Sequence, residues 1–194
     1  GSMVRKMADV APQARTQKLK GREETPTVTK RKLSEYGKQL YEKQRVKEMY
    51  GMRERQFKNF FEKAVRSQGA PGENLMSYLE RRLDNALYRL KMASTRLQAR
   101  KMIAHGHVLV NNNKVSAPSY LVALNDIITI DERSQNKAGF MEQVVDKKMK
   151  TAIKVPEWLE LNKQERKGIV LRYPVIADIQ VPIAIHLIVE MYSK

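Results

Sequence analysis

Between residues 81 and 114, eight basic side chains (Arg81, Arg82, Arg89, Lys91, Arg96, Arg100, Lys101 and Lys114) stand against a single acid, Asp84. Guanidinium and ammonium groups at this density, with almost no counter-charge, suit one kind of chemistry: neutralising phosphates and releasing the counterions condensed on a nucleic acid. The other reading is a solvated helical face, but such faces usually mix both signs and this one hardly does. The whole chain of 194 residues carries a formal charge of +16 and a pI near 10.0, which calls for a polyanionic partner. That charge is unevenly spread. Residues 1–60 hold 16 basic and 7 acidic side chains, residues 61–80 hold 2 and 3, and residues 115–194 hold 11 and 10. Two stretches therefore supply nearly all the excess, and the partner is expected to meet those two surfaces.

Other chemistry finds little support. The absence of cysteine excludes disulfides and thiolate zinc sites and fits a reducing cytosol. His105, His107 and His186 are the only histidines. His105 and His107 would share a face in a strand, but two histidines with no carboxylate or thiolate make a poor metal site. His105 beside Gly106 suits either an RNA-backbone contact or local structural bonding. There is no glycine-rich phosphate loop and no Ser/His/Asp arrangement, so no metal, cofactor or catalysis is expected. No apolar run reaches the roughly 20 residues of a membrane span, and the first residues lack the apolar core of a secretory signal.

The elements that would position the basic groups follow from periodicity. Leu79, Leu83, Leu87 and Leu90 recur at three- and four-residue spacing and predict one helical stripe, with Arg82 and Arg89 off it. Ser94 or Thr95 caps a second helix, and Thr95 with Gln98 has capping-box spacing. Leu97, Ala99, Met102 and Ile103 are its expected apolar contacts. Arg96 and Arg100, four apart, project together. Gly106 ends that helix, Val108–Val110 form a strand, and Asn111–Asn113 make a hairpin turn. Upstream, Ser34 caps a helix over about 35–49 with Tyr36, Leu40, Val46 and Met49 or Tyr50 as its stripe, and Gly51 interrupts it. A further helix from Arg53 buries Phe57, Phe60, Phe61, Ala64 and Val65, which at helical spacing are core residues and not base-stacking platforms, and leaves Arg53, Arg55 and Lys58 outside. Residues 68–72 read as a loop, with a helix from Glu73. Downstream, strands are expected at 120–124, 127–130 and 168–171, a helix over 135–150, and Trp158 as a buried anchor. Residues 1–30 are polar, basic and weakly periodic: a disordered tail or an arm that orders on RNA, readings that are compatible.

The run RLDNALYRLKMASTRLQARKMIAHGHVLVNNNKV resembles the RNA-binding module of the small-subunit ribosomal protein S4 family. Upstream KLSEYGKQLYEKQRVKEMYGMRERQFKNFFEKA, the junction GENLMSYLERRLDN and the closing HLIVEMYSK resemble the same family, in the same order, over about Lys32 to Lys194. Family members usually carry a longer N-terminal region, often with a cysteine zinc knuckle and a Pro-Gly-x-His-Gly segment. This chain reads as having a shortened one, and a zinc site is not expected. It also has Pro174–Asp178 and Ile183–Ile185 where the family tends to be more polar, at the contact with the neighbouring small-subunit protein S5; a drier interface is expected there. Arg82-Leu83-Asp84 resembles the catalytic aspartate motif of RNA pseudouridine synthases, but it lies inside the module's first helix and no separate catalytic domain is left to hold a flipped base. Asp84 is expected to pair with a nearby arginine.

The resemblance implies an α+β fold: a discontinuous helical domain with an inserted αα-turn-β RNA-binding module and a small sheet. The expected divisions are a basic arm over 1–30, a helical domain over 31–80 completed by 182–194, and a domain over 81–181 containing the module, its core at 81–132. The implied function is that of a structural, primary rRNA-binding protein that nucleates assembly of the small-subunit body. Its implied partners are small-subunit rRNA, mRNA near the entry channel (close to Lys30, Arg31 and Lys32) and neighbouring proteins including S5, with a ribosome-bound, cytoplasmic location and no membrane. The expected RNA-contacting residues are Lys30, Arg31, Lys32, Tyr36, Lys43, Arg45, Arg53, Arg55, Lys58, Arg81, Arg82, Arg89, Arg96, Arg100, Lys101 and His105.

Overall fold

A computed structural model describes residues 33–135 and 154–193. The chain divides into two units, Gly1–Tyr41 and Glu42–Lys194, and of the first only residues 33–41 are described. Helix α1 spans Glu35–Met49. Ser34 caps it as expected, its Oγ accepting from the Gly37 N–H at 3.0 Å. The helix stops at Gly51, whose φ of +64° lets the Met52 N–H turn back onto the Lys47 carbonyl. Tyr36, expected in the apolar stripe, is exposed.

Helix α2 (Glu54–Arg66) buries Phe57, Phe61 and Ala64, three- and four-residue spacing that puts them on one face. Phe60 is only partly buried, and Val65, expected inside, is exposed at the edge of that face. Helix α3 (Pro71–Glu80) begins two residues before the expected Glu73 because Pro71 fits the first helical turn, where a missing N–H costs nothing. It contributes Leu75, Met76 and Leu79 to the same core, with Val46, Tyr50, Met52, Ile179 and Ile188.

The single helix expected through Leu79, Leu83, Leu87 and Leu90 is broken. All four leucines are fully buried, but α3 ends at Glu80 and a new helix, α4, runs Leu83–Arg89. The cause lies far away in sequence. The Leu83 N–H donates to the Tyr120 carbonyl at 2.8 Å, the Val122 N–H donates to the Arg81 carbonyl at 2.9 Å, and Arg82 forms an antiparallel bridge with Leu121. Backbone pairing holds Arg82 extended and overrides local helical preference. The same pairing corrects the strand expected at 120–124: that segment makes this one bridge and no regular strand.

Helix α5 spans Arg96–Ala104, with Thr95 Oγ1 accepting from the Gln98 N–H at 3.0 Å. Gln98 completes the cap one residue earlier than the capping-box pattern, accepting from the Ser94 N–H. Gly106 (φ +78°) ends it and leads into β1 (Val108–Val110). Asn111 and Asn112, both left-handed, turn the chain into β2 (Asn113–Lys114). Then come β3 (Ile127–Ile130), a short helix α6 (Glu132–Gln135), β4 (Leu159–Asn162), β5 (Lys167–Val170), a 3-10 turn at Ile176–Asp178 and helix α7 (Ile185–Tyr192). The five strands form one antiparallel sheet in the order β2-β1-β3-β5-β4, with Val108 opposite Ile130 and Ile128 opposite Gly168. Alternate residues Val108, Val110, Ile128, Ile130 and Val170 point inward onto Leu83, Leu87, Leu90, Met102, Ile103 and the buried Trp158. This second core belongs to α4, α5 and the sheet. The α+β class and the small sheet stand as expected; the helix expected over 135–150 lies, apart from Gln135, outside the described residues.

Candidate nucleic-acid interface

The break at Arg81-Arg82 places a polar cluster between the two cores. Glu80, the last residue of α3, is 1% exposed, and its carboxylate accepts from the Tyr50 hydroxyl at 2.5 Å and from Arg89 Nε and Nη2, each at 3.2 Å. Asn85 is fully buried. Its amide nitrogen donates to the Glu80 carbonyl at 2.7 Å, and its oxygen accepts from Arg96 Nε at 2.9 Å. Arg96 Nη1 donates to the Met49 carbonyl at 2.8 Å. The Arg96 guanidinium lies between two rings, 4.8 Å from the Tyr50 centroid and 4.6 Å from that of Tyr88. Beside this set is a second one. Arg82, 3% exposed, grips the buried Asp84 through Nε (3.1 Å) and Nη2 (2.9 Å), and Arg100 Nη1 lies 3.8 Å from the same carboxylate. Among the described residues, Asp84 thus serves two arginines, whereas Glu80 serves one arginine and the Tyr50 hydroxyl.

The electrostatics follow from this arrangement. Burial pushes the Tyr50 hydroxyl pKa well up, and the Glu80 charge adds to it, so Tyr50 stays a donor. Burial pulls Arg89 down, but the adjacent Glu80 more than offsets this and leaves it above the ordinary arginine value. Arg96 is lowered, first by burial and then by repulsion from Arg89. An approaching anion would relieve that repulsion. Arg96 and Arg100 line one open groove with Met49, Tyr88, Thr95 and Leu97, so the expectation that they project together holds.

The remaining expected residues divide by position. Arg53 at the N-cap of α2, Arg55 and Lys58 on it, and Lys101 and His105 at the end of α5, are exposed. His105 is the residue after α5, 6.2 Å from the His107 ring, and the two meet across the Gly106 turn and not along a strand. Arg81 is half-buried, its Nε donating to the Val122 carbonyl and its guanidinium stacked 4.2 Å over Tyr173. Three residues expected to contact RNA are engaged by partners within the protein. Arg82 is enclosed in the ion pair with Asp84. Lys43 is 6% exposed, its ammonium 2.5 Å from Glu54, because it faces α2 across the turn at Gly51. Arg45 is tied to Glu42 at 2.6 Å and to the Pro182 carbonyl at 2.5 Å. Leu97, expected to pack inward, is 54% exposed on the groove. Lys30, Arg31 and Lys32 lie outside the described residues. Tyr50, Glu80, Asn85 and Tyr88 were not singled out as site residues; Glu80, an acid ending an apolar helix directly before two arginines, was the one available signal. Full burial in the pair with Arg82 also keeps Asp84 from reaching any substrate, against its reading as a catalytic aspartate.

Comparison with known proteins bears on the same stretches. Residues 81–128 match the S4 domain model, and residues 5–80 match that of the ribosomal protein S4/S9 N-terminal domain. The chain is 50% identical over 165 residues to the small ribosomal subunit protein uS4 of Caldicellulosiruptor bescii, covering 85% of this chain and 78% of that one. It belongs to the uS4 family. The uS4 proteins of Aquifex aeolicus (48% over 168 residues) and Clostridioides difficile (46% over 165) match with the same coverage of both chains. The boundary between the two family models, 80/81, coincides with the break between α3 and α4, so the polar cluster sits at the seam of the uS4 fold. No helix of the described residues is long and apolar enough to cross a membrane.

Proposed function

We propose that this chain is a structural component of the small ribosomal subunit that binds small-subunit rRNA and nucleates assembly of the subunit body. What carries the reading is the match to uS4 proteins over 85% of the chain, with the two family models joined at the seam where the arginine cluster lies. Two surfaces would meet the RNA: the groove of Arg96 and Arg100 with Lys101 and His105 beside it, and the exposed cations Arg53, Arg55 and Lys58 of α2. They would recognise RNA mainly by shape, since the deep groove of A-form RNA hides its base edges. Lys30, Arg31 and Lys32 would contact mRNA near its entry channel. Residues 31–80 and 182–194 would form one helical domain, with residues 81–181 inserted. The stretches 174–178 and 183–185, with Val175 exposed, would meet the neighbouring protein S5, and the protein would work ribosome-bound in the cytoplasm.

The test is binding of the full chain to a small-subunit rRNA multi-helix junction and to a scrambled duplex of equal length, across a salt series. We expect junction-selective binding with a steep salt dependence. The Arg96→Ala, Arg100→Ala double variant should lower the slope of log K against log salt by about 1 to 2, as one or two phosphate contacts are lost. Equal affinity for the two RNAs would leave a general RNA-binding protein and defeat the specific assignment.

A further inference from the structure

The arginine cluster is over-built for a surface that only supplies charge. A cation that serves through net charge gains nothing from being clamped, and Lys101, next to Arg100 on the same helix, is simply exposed. Arg96 is held by two hydrogen bonds, to a buried amide and to a backbone carbonyl, and by two aromatic faces. The group lines the open groove. Arg100 sits one turn on, and its guanidinium packs against Gly51, where a side chain would collide with it. The two buried acids are each engaged most closely by the other arginine of their set, Glu80 by Arg89 and Asp84 by Arg82. The surplus positive charge therefore falls on Arg96 and Arg100, the two that face the groove.

We propose that Asn85, supported by Glu80 and Tyr50, is a positioning residue that fixes the Arg96 guanidinium in the groove, so that this face discriminates RNA shape instead of merely attracting polyanions. This rests on the rRNA-binding reading above. A fixed planar fork offers donors at a set point and angle, whereas a lysine at the same site offers an equal charge without the geometry. Holding the group before binding also removes the ordering cost that a free side chain would pay on contact. Both the Tyr50 hydroxyl and the Asn85 amide nitrogen anchor to Glu80; Asn85 then meets Arg96 through a hydrogen bond and Tyr50 through its ring face.

The experiment measures the ratio of junction affinity to scrambled-duplex affinity for the full chain and for Arg96→Lys, Arg96→Ala, Asn85→Ala and the Asn85→Ala, Arg96→Lys double variant, with circular dichroism verifying the fold of each. Positioning predicts that Arg96→Lys lowers the ratio roughly tenfold, the size of one lost charge-assisted hydrogen bond, and as far as Arg96→Ala does. It also predicts that the double variant falls no further than Arg96→Lys alone, because Asn85 acts through Arg96. A purely structural Asn85 would instead lower stability and leave the ratio of the folded protein unmoved. A parental ratio in Arg96→Lys overturns the proposal while leaving rRNA binding intact, and additive losses in the double variant overturn the role of Asn85. Should Asn85→Ala fail to fold, Asn85→Ser takes its place in both comparisons, keeping a polar group for the Glu80 carbonyl but not the amide oxygen that meets Arg96. A wild-type chain without junction preference defeats the rRNA-binding reading and this inference together.

Discussion

An arginine counted in a sequence is one positive charge; in the fold it is a charge with or without a partner. Arg82, Arg89, Arg96 and Arg100 all come from one basic run, yet one is sealed in an ion pair, one is bound to Glu80 and two face the groove. That sorting was not legible beforehand, because the acids that decide it act through the tertiary fold. Asp84 as an arginine partner was legible, being the only acid in the run. The same logic holds at Asp178, whose carboxylate accepts from Arg172 Nη1 at 2.8 Å, Arg172 Nη2 at 2.7 Å and the Val175 N–H at 2.8 Å. The Arg172 hydrogen bonds, opposed by burial and helped by the backbone, hold its pKa below the ordinary 3.8. A carboxylate depressed in the folded state stabilises above its unfolded value, and that contribution disappears as pH falls through the folded one. Asp178→Asn should therefore lower stability at pH 7 by roughly 1 kcal/mol, the pair being partly solvated. In urea titrations across pH, the gap between parent and variant should close below pH 3.8; a gap that stays constant with pH would show that the pair's charge contributes nothing.

At the scale of the element, what is local in sequence was readable and what is not local was missed. Caps at Ser34 and Thr95, the stop at Gly106 and the asparagine turn each depend on a few adjacent residues, and each appeared where expected. The break at Arg81-Arg82 depends on residues 118–122, and no window over the leucine stripe could contain its cause. The hairpin shows how finely the local chemistry is divided. Asn111 and Asn112 both take left-handed φ, 52° and 68°, but only Asn111 uses its side chain: Nδ2 donates to Asp126 Oδ1 at 2.8 Å and Oδ1 accepts from the Ile127 N–H at 2.9 Å. Asn112 is exposed and is there for its backbone alone. Asn112→Gly should raise stability by roughly 0.5 kcal/mol by relieving the left-handed strain, while Asn111→Gly should lower it despite the same relief. Thermal denaturation of the two variants side by side checks this, and equal shifts would mean that the Asn111 bonds to β3 have no net worth.

For the molecule as a whole, the order of the chain and the order of its cores disagree. The core built on α2 and α3 is completed by residues some hundred positions later: Ile179, Ile188 and the Tyr192 ring, which stacks on Phe61 with centroids 4.5 Å apart. Nothing local at 185–192 says what the helix packs on; its amphipathic pattern shows only that one face is buried, and the return to α2 and α3 was legible solely through the family resemblance. The sheet core, by contrast, is filled among the described residues by residues 83–170 alone. A lesion in the returning helix should therefore act first on the α2–α3 core and reach the arginine cluster only through Tyr50 and Met49, which that core shares with it. Ile188 is fully buried, so Ile188→Ala should cost about 2 to 5 kcal/mol through lost burial and the cavity left behind. Urea unfolding followed separately by Trp158 fluorescence, which reports the sheet core, and by far-ultraviolet dichroism, dominated by the helices, tests the arrangement. The dichroism midpoint should fall further than the fluorescence midpoint. Equal falls would mean that the polar cluster at the seam couples the two cores into one cooperative unit, in which case Glu80 and Asn85 transmit stability between them as well as holding Arg89 and Arg96.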